Sequence, residues 1–305
     1  MAPAQASEQT IGIVIHGGAG TIDRAHMTPA MEREYRAALS AAMAAGFSTL
    51  EHGGSAVDAV VAAIVPMEDS PLFNAGKGAV FTHDGRNELD ASIMDGRTVN
   101  SGAVAAATRI RNPIRLARLV MEKSEHVMFA GAGVELFAQE QGMALVDPSY
   151  FRTERRWRAL QRVLKAEKHG TVGAVAVDGQ GNLAAGTSTG GMTDKREGRV
   201  GDSPIIGAGT YASNASCAVS GTGHGEYFIR LTIARDVCAL VEYKGLSVAE
   251  AARIVIHQKL AGLGGTGGVI VIDRKANVAM EFNTPGMYRG VHIAGHKPRV
   301  AFYGK

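Results

Sequence analysis

The placement of glycine constrains this chain more than any other feature. Of 39 glycines, 14 fall in the 56 residues from Gly170 to Gly225, and the chain is richer in glycine after residue 170 than before it. These glycines follow no three-residue period, which excludes a collagen-like coil, and the residues between them are too apolar for a flexible linker. Glycines set between apolar strands mark tight turns and close backbone approaches, often beside a ligand.

The remainder of the composition is that of an ordinary globular chain of 305 residues, 46% apolar with a formal net charge of +3. A core can form at this length. The longest apolar run, Ala59 to Met67, is too short to span a bilayer. The first ten residues have neither the basic nor the apolar region of a secretory leader, so a cytoplasmic protein is expected. Cys217 and Cys238 have no metal-binding spacing, and neither a disulfide framework nor a zinc site is expected. The positive balance comes from one run, Arg152, Arg155, Arg156, Arg158, Arg162, Lys165 and Lys168, interrupted by Glu154 and Glu167. Such a run reads as a solvated helix face rather than a nucleic-acid site.

Periodicity and turn chemistry predict the elements. Ile11 to Ile15 reads as a strand entering a glycine-rich turn, His16 to Gly20. Thr28 and Pro29 start a helix to about Leu50, and Ser55 with Asp58 forms a capping box for a second, buried helix that Pro71 ends. Lys77 to Thr82, Glu88 to Met94 and Val99 to Ala106 read as a three-stranded meander. Helices follow at Pro113 to Lys123, Gly133 to Gln141 and Ser149 to Glu167. Beyond the junction, Thr171 to Val177 and Asn182 to Ser188 form a hairpin across Asp178 to Gly181. Further strands are expected at Ile205 to Tyr211 and Ala215 to Ser220, and helices at Gly225 to Tyr243 and Ser247 to Leu260. The last three strands are Gly268 to Ile272, Asn277 to Phe282 and Met287 to Ile293. Hairpin-linked strands with helices clustered between them favour stacked antiparallel sheets covered by helices, a four-layer αββα sandwich of the α+β class.

Chemistry concentrates at the same glycine clusters. A hydroxyl residue, Thr171, opens a clean strand directly after Gly170. Thr189, Arg199, Asp202 and Thr222 follow within 55 residues, each beside glycine. Taken alone, these are a turn hydroxyl or an exposed loop ion pair. Together with HGGAG (His16 to Gly20), FNAGKGAVFT (Phe73 to Thr82), ELDASIMDG (Glu88 to Gly96), GTVGAVAVD (Gly170 to Asp178), GRVGDSPIIGAG (Gly198 to Gly209) and GMYRG (Gly286 to Gly290), the chain resembles the plant-type L-asparaginases, or isoaspartyl peptidases. That family belongs to the N-terminal nucleophile hydrolases.

The resemblance implies the αββα fold and a single domain that cuts itself between Gly170 and Thr171 into chains 1–170 and 171–305. It implies Thr171 as nucleophile with its own freed amine as base, Thr189 as the orienting hydroxyl, and Thr222 with the N–H of Gly223 as oxyanion hole. Arg199 would bind the substrate α-carboxylate and Asp202 its α-ammonium, with Val200, Gly201, His224, Gly225 and Asn74 around the substrate. The substrates implied are L-asparagine and β-aspartyl dipeptides, with no catalytic cofactor and no nucleic-acid or membrane partner. A structural sodium ion would sit on the carbonyls of Met67, Glu68, Ser70, Phe73, Ala75 and Lys77. The implied assembly is a dimer of αβ heterodimers. Two positions depart from the family pattern: His224 replaces a small polar residue, and Thr266 stands where relatives often carry aspartate. A glycosylasparaginase and a phosphate-cradling binding protein are the alternatives; the latter lacks both a Walker lysine and a dinucleotide fingerprint.

Overall fold

The computed structural model describes residues 10–20, 27–163 and 170–304. The leader region, His169, Lys165, Glu167 and Lys168 lie outside the described residues, as does the side chain of Arg162.

Alternation along the strands explains the layers. On β1 (Gly12–Gly20), Ile13 and Ile15 pack toward one side and Val14 toward the other. On β5 (Val172–Val177), Val172, Ala174 and Ala176 face the first side while Val175 and Val177 face the second. A strand that is apolar on both faces belongs between two buried layers. The first side is covered by α1 (Pro29–Glu51) and α2 (Ala56–Glu68), which contribute Leu39, Phe47, Val60 and Ile64. The second side meets another sheet, whose β9 (Gly267–Ile272) sends Ile270 and Ile272 inward and Val269 and Val271 outward. There the outer face is covered by α7 (Ile233–Lys244) and α8 (Val248–Ile254). Three apolar seams separate four layers, the expected αββα sandwich.

The larger sheet runs β12–β11–β1–β5–β6–β2–β3–β4 and the smaller β10–β9–β8–β7. Their other strands are β2 (Leu89–Asp95), β3 (Ser101–Ala107), β4 (Met128–Ala130), β6 (Leu183–Thr189), β7 (Thr210–Ala212), β8 (Ala218–Gly223), β10 (Val278–Phe282), β11 (Gly286–Ile293) and β12 (Arg299–Tyr303). Pairing is antiparallel except between β3 and β4. The remaining helices are α3 (Pro113–Lys123), α4 (Ala132–Glu140), α5 (Glu154–Val163) and α6 (Gly225–Leu231). In the β5/β6 hairpin Val172 sits opposite Ser188 and Val177 opposite Leu183. The helix starts hold as expected: Thr28 accepts from the amide of Met31, and both capping boxes, Ser55/Asp58 and Ser247/Glu250, are formed.

Several expectations are corrected. The strand at Ile11 does not end at Ile15: β1 runs through the glycines to Gly20, with a bulge between His16 and Gly18. The meander loses its first strand, because side-chain amides satisfy the backbone of that segment instead of a neighbouring strand. Asn74 Oδ1 accepts from Val80 N at 2.9 Å, and Asn87 Nδ2 donates to the carbonyls of Ala79 and Val80. Residues 205–209 turn back on the Asp202 carbonyl, which takes the amides of Ile205 and Gly209, so only Thr210–Ala212 is strand. The helix expected from Gly225 to Tyr243 breaks at Thr232, which adopts a left-handed conformation. That break lets the first amides of α7, from Ala234 and Arg235, donate to the carbonyls of Ala208 and Gly207. α8 continues as a π-helical stretch, Val255–Leu260. The two cysteines are joined as one disulfide, Cys217 to Cys238, across the contact between β8 and α7. Their 21-residue separation carries no signal of that meeting, which packing alone produces.

Candidate active site

Thr171 stands just before β5, where the larger sheet faces the glycine-rich loops of the smaller one, and is 7% exposed. Its hydroxyl lies 3.2 Å from Thr189 Oγ1 at the end of the paired strand β6. The Thr189 hydroxyl in turn donates to the Gly170 carbonyl at 3.1 Å and accepts from Gly191 N at 2.9 Å. The same Gly170 carbonyl receives Asn74 Nδ2 at 2.5 Å. Asn74 is pinned from every side: its amide also donates to Gly191 O, its side-chain oxygen takes Val80 N, and its carbonyl takes Gly190 N. The peptide bond between Gly170 and Thr171 therefore has a hydroxyl beside it and two hydrogen-bond donors on its carbonyl oxygen. That arrangement suits attack on the carbonyl, since both donors are placed to stabilise negative charge developing there. The bare Cα of Gly18, at φ +110°, packs against this junction, where a Cβ would come within 3.1 Å of Thr171 N.

The cleft beside the junction is lined by Gly170, Thr171, Thr189, Arg199, Gly201, Asp202 and Gly223, all expected, and by Gly191, Met192 and Ser203, which were not. Its free volume in the continuous chain is about 10 Å³, room for one water. Asp202 is buried, and its Oδ2 finds no hydrogen-bond partner among the described residues. Burial pushes its carboxyl up to about 6, against the opposing pull of the Arg199 guanidinium. A buried carboxylate oxygen without a partner is costly unless a cation arrives. Arg199 is held from the side by Glu226, whose Oε1 accepts from Nε and Nη2 at 3.0 and 2.7 Å. Gly225 leaves room between these charges: a Cβ there would lie 3.0 Å from Arg199 Nη2 and from Asp202 Oδ1.

Thr222 is fully buried on β8 and accepts from Ala19 N at 3.1 Å, which leaves its own proton available to donate. Val200 does not line the cleft, nor does His224. His224 instead meets the other unusual residue, Thr266, with Nδ1 and Oγ1 3.3 Å apart.

The loop after α2 folds tightly on itself. The bare Cα of Gly76 lies against the Glu68 carbonyl, and that of Gly78 against those of Phe73 and Pro71. The carbonyls of Met67 and Ala75 accept the amides of Ser70 and Gly78 at 3.3 and 3.1 Å.

Sequence reasoning missed the groups behind Thr171. His16 is buried, with Nδ1 3.2 Å from the Thr171 carbonyl and Nε2 3.0 Å from Ser220 Oγ, and burial drives its pKa down to about 3. The HGGAG motif contained this histidine, but nothing in it indicates where the ring points. Glu226 was missed for the same reason.

Comparison with known proteins places the chain among relatives of one family. The profile of a family described as asparaginase matches residues 8–302. The isoaspartyl peptidase of Escherichia coli (strain K12) is 53% identical over 306 residues, covering 95% of each chain. The isoaspartyl peptidase/L-asparaginase of Xenopus laevis is 43% identical over 283 residues and 90% of each chain. A probable isoaspartyl peptidase/L-asparaginase 2 of Arabidopsis thaliana is 42% identical, covering 91% of this chain and 94% of its own.

Proposed function

This chain belongs to the asparaginase family, and from that premise we propose that it is an autoprocessing threonine hydrolase. It hydrolyses L-asparagine to aspartate and ammonia and cleaves β-aspartyl dipeptides. The observation that carries the reading is the Gly170–Thr171 junction, with the Thr171 hydroxyl 3.2 Å from Thr189 and the Gly170 carbonyl gripped by Asn74 and Thr189.

Cleavage comes first. The Thr171 oxygen attacks the Gly170 carbonyl carbon while Asn74 and Thr189 stabilise the oxyanion. The C–N bond breaks, the nitrogen leaves as an amine carrying the hydroxyl proton, and water hydrolyses the resulting ester. Gly170, which lines the cleft, can then leave it, and the cleft, about 10 Å³ in the uncut chain, can open to substrate. The freed amine of Thr171, with an ordinary pKa of about 7.7 to 8.0, becomes the base its own hydroxyl lacked.

In turnover that amine takes the hydroxyl proton and the oxygen attacks the substrate side-chain carbonyl. Thr222 Oγ1 and Gly223 N–H receive the oxyanion. Ammonia or an amino acid leaves with the proton, and water releases aspartate from the β-aspartyl ester. Arg199 holds the α-carboxylate as a two-pronged donor. Asp202, its unpartnered oxygen supplying the counter-charge, holds the α-ammonium together with the Gly225 carbonyl. Gly201, which lines the cleft, completes the surround.

The reading also includes a structural sodium ion on the carbonyls of Met67, Glu68, Ser70, Phe73, Ala75 and Lys77. The inward packing of this glycine-closed loop supports it, since carbonyl oxygens suit a hard cation. No cofactor takes part in the chemistry. Two αβ units pair as a dimer; Val127, Met128 and Leu136, exposed by 53%, 37% and 61% around edge strand β4, offer an apolar surface for that contact. Residence in the cytoplasm is part of the proposal, and among the described residues no helix is long and apolar enough to cross a membrane.

Mass spectrometry of the purified protein tests the central claim. It should give two chains of 170 and 135 residues with Thr171 as the new N-terminus. The Thr171→Ala variant should remain one chain without turnover, and an uncut chain that hydrolyses a β-aspartyl dipeptide would refute the mechanism.

A further inference from the structure

Between the two sheets the packing is apolar along most of its length, yet at the Thr171 end it changes character. Five fully buried polar side chains from both sheets form one continuous chain there. His16 comes from β1, Ser92 from β2 and Thr187 from β6 of the larger sheet; Thr210 comes from β7 and Ser220 from β8 of the smaller. The contacts run from the Thr171 carbonyl to His16 at 3.2 Å and from His16 to Ser220 at 3.0 Å. They continue from Ser220 to Thr187 at 2.7 Å, from Thr187 to Thr210 at 2.6 Å and from Thr210 to Ser92 at 2.8 Å. Ser92 ends on the Ser203 carbonyl at 2.6 Å, next to Asp202.

Elementary donor counting fixes the direction of this chain. A carbonyl only accepts, so the contact with Thr171 O requires a proton on His16 Nδ1. Deep burial keeps the imidazole neutral, so Nε2 has no proton and must accept. The Ser220 hydroxyl therefore points at His16. Its oxygen is left to accept from Thr187, whose oxygen accepts from Thr210. The single proton of Ser92 goes to the Ser203 carbonyl, so its 2.8 Å contact with Thr210 is close packing and the hydrogen-bonded run ends at Thr210. The protons are thus ordered toward the residue proposed as nucleophile, and hydrogen bonds aligned in this way reinforce one another. Gly173, the second residue of β5, exists at this spot to let the chain pass: a Cβ there would overlap Ser220 Oγ and the His16 ring.

We propose that His16 is a positioning residue for Thr171. Acting with the Ser220–Thr187–Thr210 relay, it sets the orientation of the nucleophile on one sheet against the oxyanion donors and Asp202 loop carried by the other. The relay spans the gap that the reaction must cross, because Thr171 belongs to the larger sheet while Thr222 and Gly223 belong to the smaller. Buried hydroxyls add nothing to apolar packing and are expensive unless satisfied. Satisfied, they form a rigid spacer between sheets that oily contacts alone would leave freer to slide. A displacement of about 1 Å at a reacting atom lowers turnover by about a hundredfold. The inference rests on Thr171 being the nucleophile, and the controls separate the two claims.

The test uses autocleaved enzyme and a β-aspartyl dipeptide, with kcat and KM measured per mole of cleaved protein. His16→Leu deletes the donor. His16→Asn restores a side-chain N–H near the position of Nδ1. Thr187→Val removes one hydroxyl at constant shape. The expected result is a fall in kcat of about 10- to 100-fold for His16→Leu and Thr187→Val with KM within about twofold, and substantial recovery of kcat in His16→Asn. Unchanged kcat in Thr187→Val overturns the proposal, as does a His16→Asn variant as slow as His16→Leu. If both His16 variants fail to fold, Thr187→Val alone decides. Turnover by Thr171→Ala would refute the nucleophile itself, whereas a dead Thr171→Ala beside an unaffected Thr187→Val refutes only the relay.

Discussion

At the scale of single residues, burial decides which groups titrate where the reaction needs them. His16 sits too deep to carry charge, with its pKa near 3, so it contributes no limb to a pH profile in the working range. Asp202 behaves differently: burial raises its carboxyl to about 6, and only the ionised form attracts an ammonium. The freed amine of Thr171 must likewise be unprotonated to act as base. Both groups are needed in their basic forms, so kcat/KM, which reports the free enzyme, should fall as pH drops. Its logarithm should take unit slope below the amine pKa and a slope of two below about pH 6. A log kcat/KM plot that keeps unit slope down to pH 5 would contradict the assignment of Asp202. The single threonine at Gly170–Thr171 was legible in the sequence because a hydroxyl after glycine at a strand start has a family meaning. The role of Asn74 in gripping the scissile carbonyl was not, because an asparagine in a glycine-rich turn is equally at home capping its own loop.

At the scale of elements, the helix starts at Thr28, Ser55 and Ser247 were read well, whereas the breaks at Thr232 and before Glu154 and several loops were not. The capping residues of α1, α2 and α8 lie in local sequence, and their hydrogen bonds form within three residues, so no tertiary information was needed. The segments misread as strands, 77–82 and 205–209, have strand-like composition, but their backbone groups bond to Asn74, Asn87 and the Asp202 carbonyl. Long-range partners override local propensity there. The start of α2 illustrates how far the site is insulated from such elements. Ser55 caps it, and Asp178, just past the end of β5, accepts from Ala56 N at 3.2 Å. This is the opposite end of the strand from Thr171. Replacing Ser55 with Ala should therefore lower stability by about 1 kcal/mol, read from denaturant midpoints, and leave kcat and KM unchanged. A change in kcat would show that the two ends of β5 are coupled.

At the scale of the whole molecule, the proposed cut between Gly170 and Thr171 would divide the larger sheet between two polypeptides without dividing the fold. β1, β2, β3 and β4 stay with the first chain, while β5, β6, β11 and β12 stay with the second. The order β11–β1–β5 and β6–β2 interleaves them, so the backbone ladders and the seam under α1 and α2 hold the halves together. Cys217 and Cys238 both lie in the second chain, so their disulfide does not link the halves. A denaturing gel should show both chains with or without reductant, and a single non-reducing band in cleaved protein would mean that the pairing is wrong. A disulfide is also unusual in a reducing compartment, which makes thiol titration of protein taken from cells a direct check on cytoplasmic residence. Alternation, capping and contiguous motifs are encoded within a few residues, so the layers, the helix caps and the family were legible in the sequence alone. Tertiary packing alone brings the cysteines together, sets Glu226 against Arg199, and places His16 on the Thr171 carbonyl with the hydroxyls of Ser220, Thr187 and Thr210 lined up behind it. Those contacts join residues up to 204 positions apart, and neither spacing nor composition specifies which buried side chains face each other across the interior.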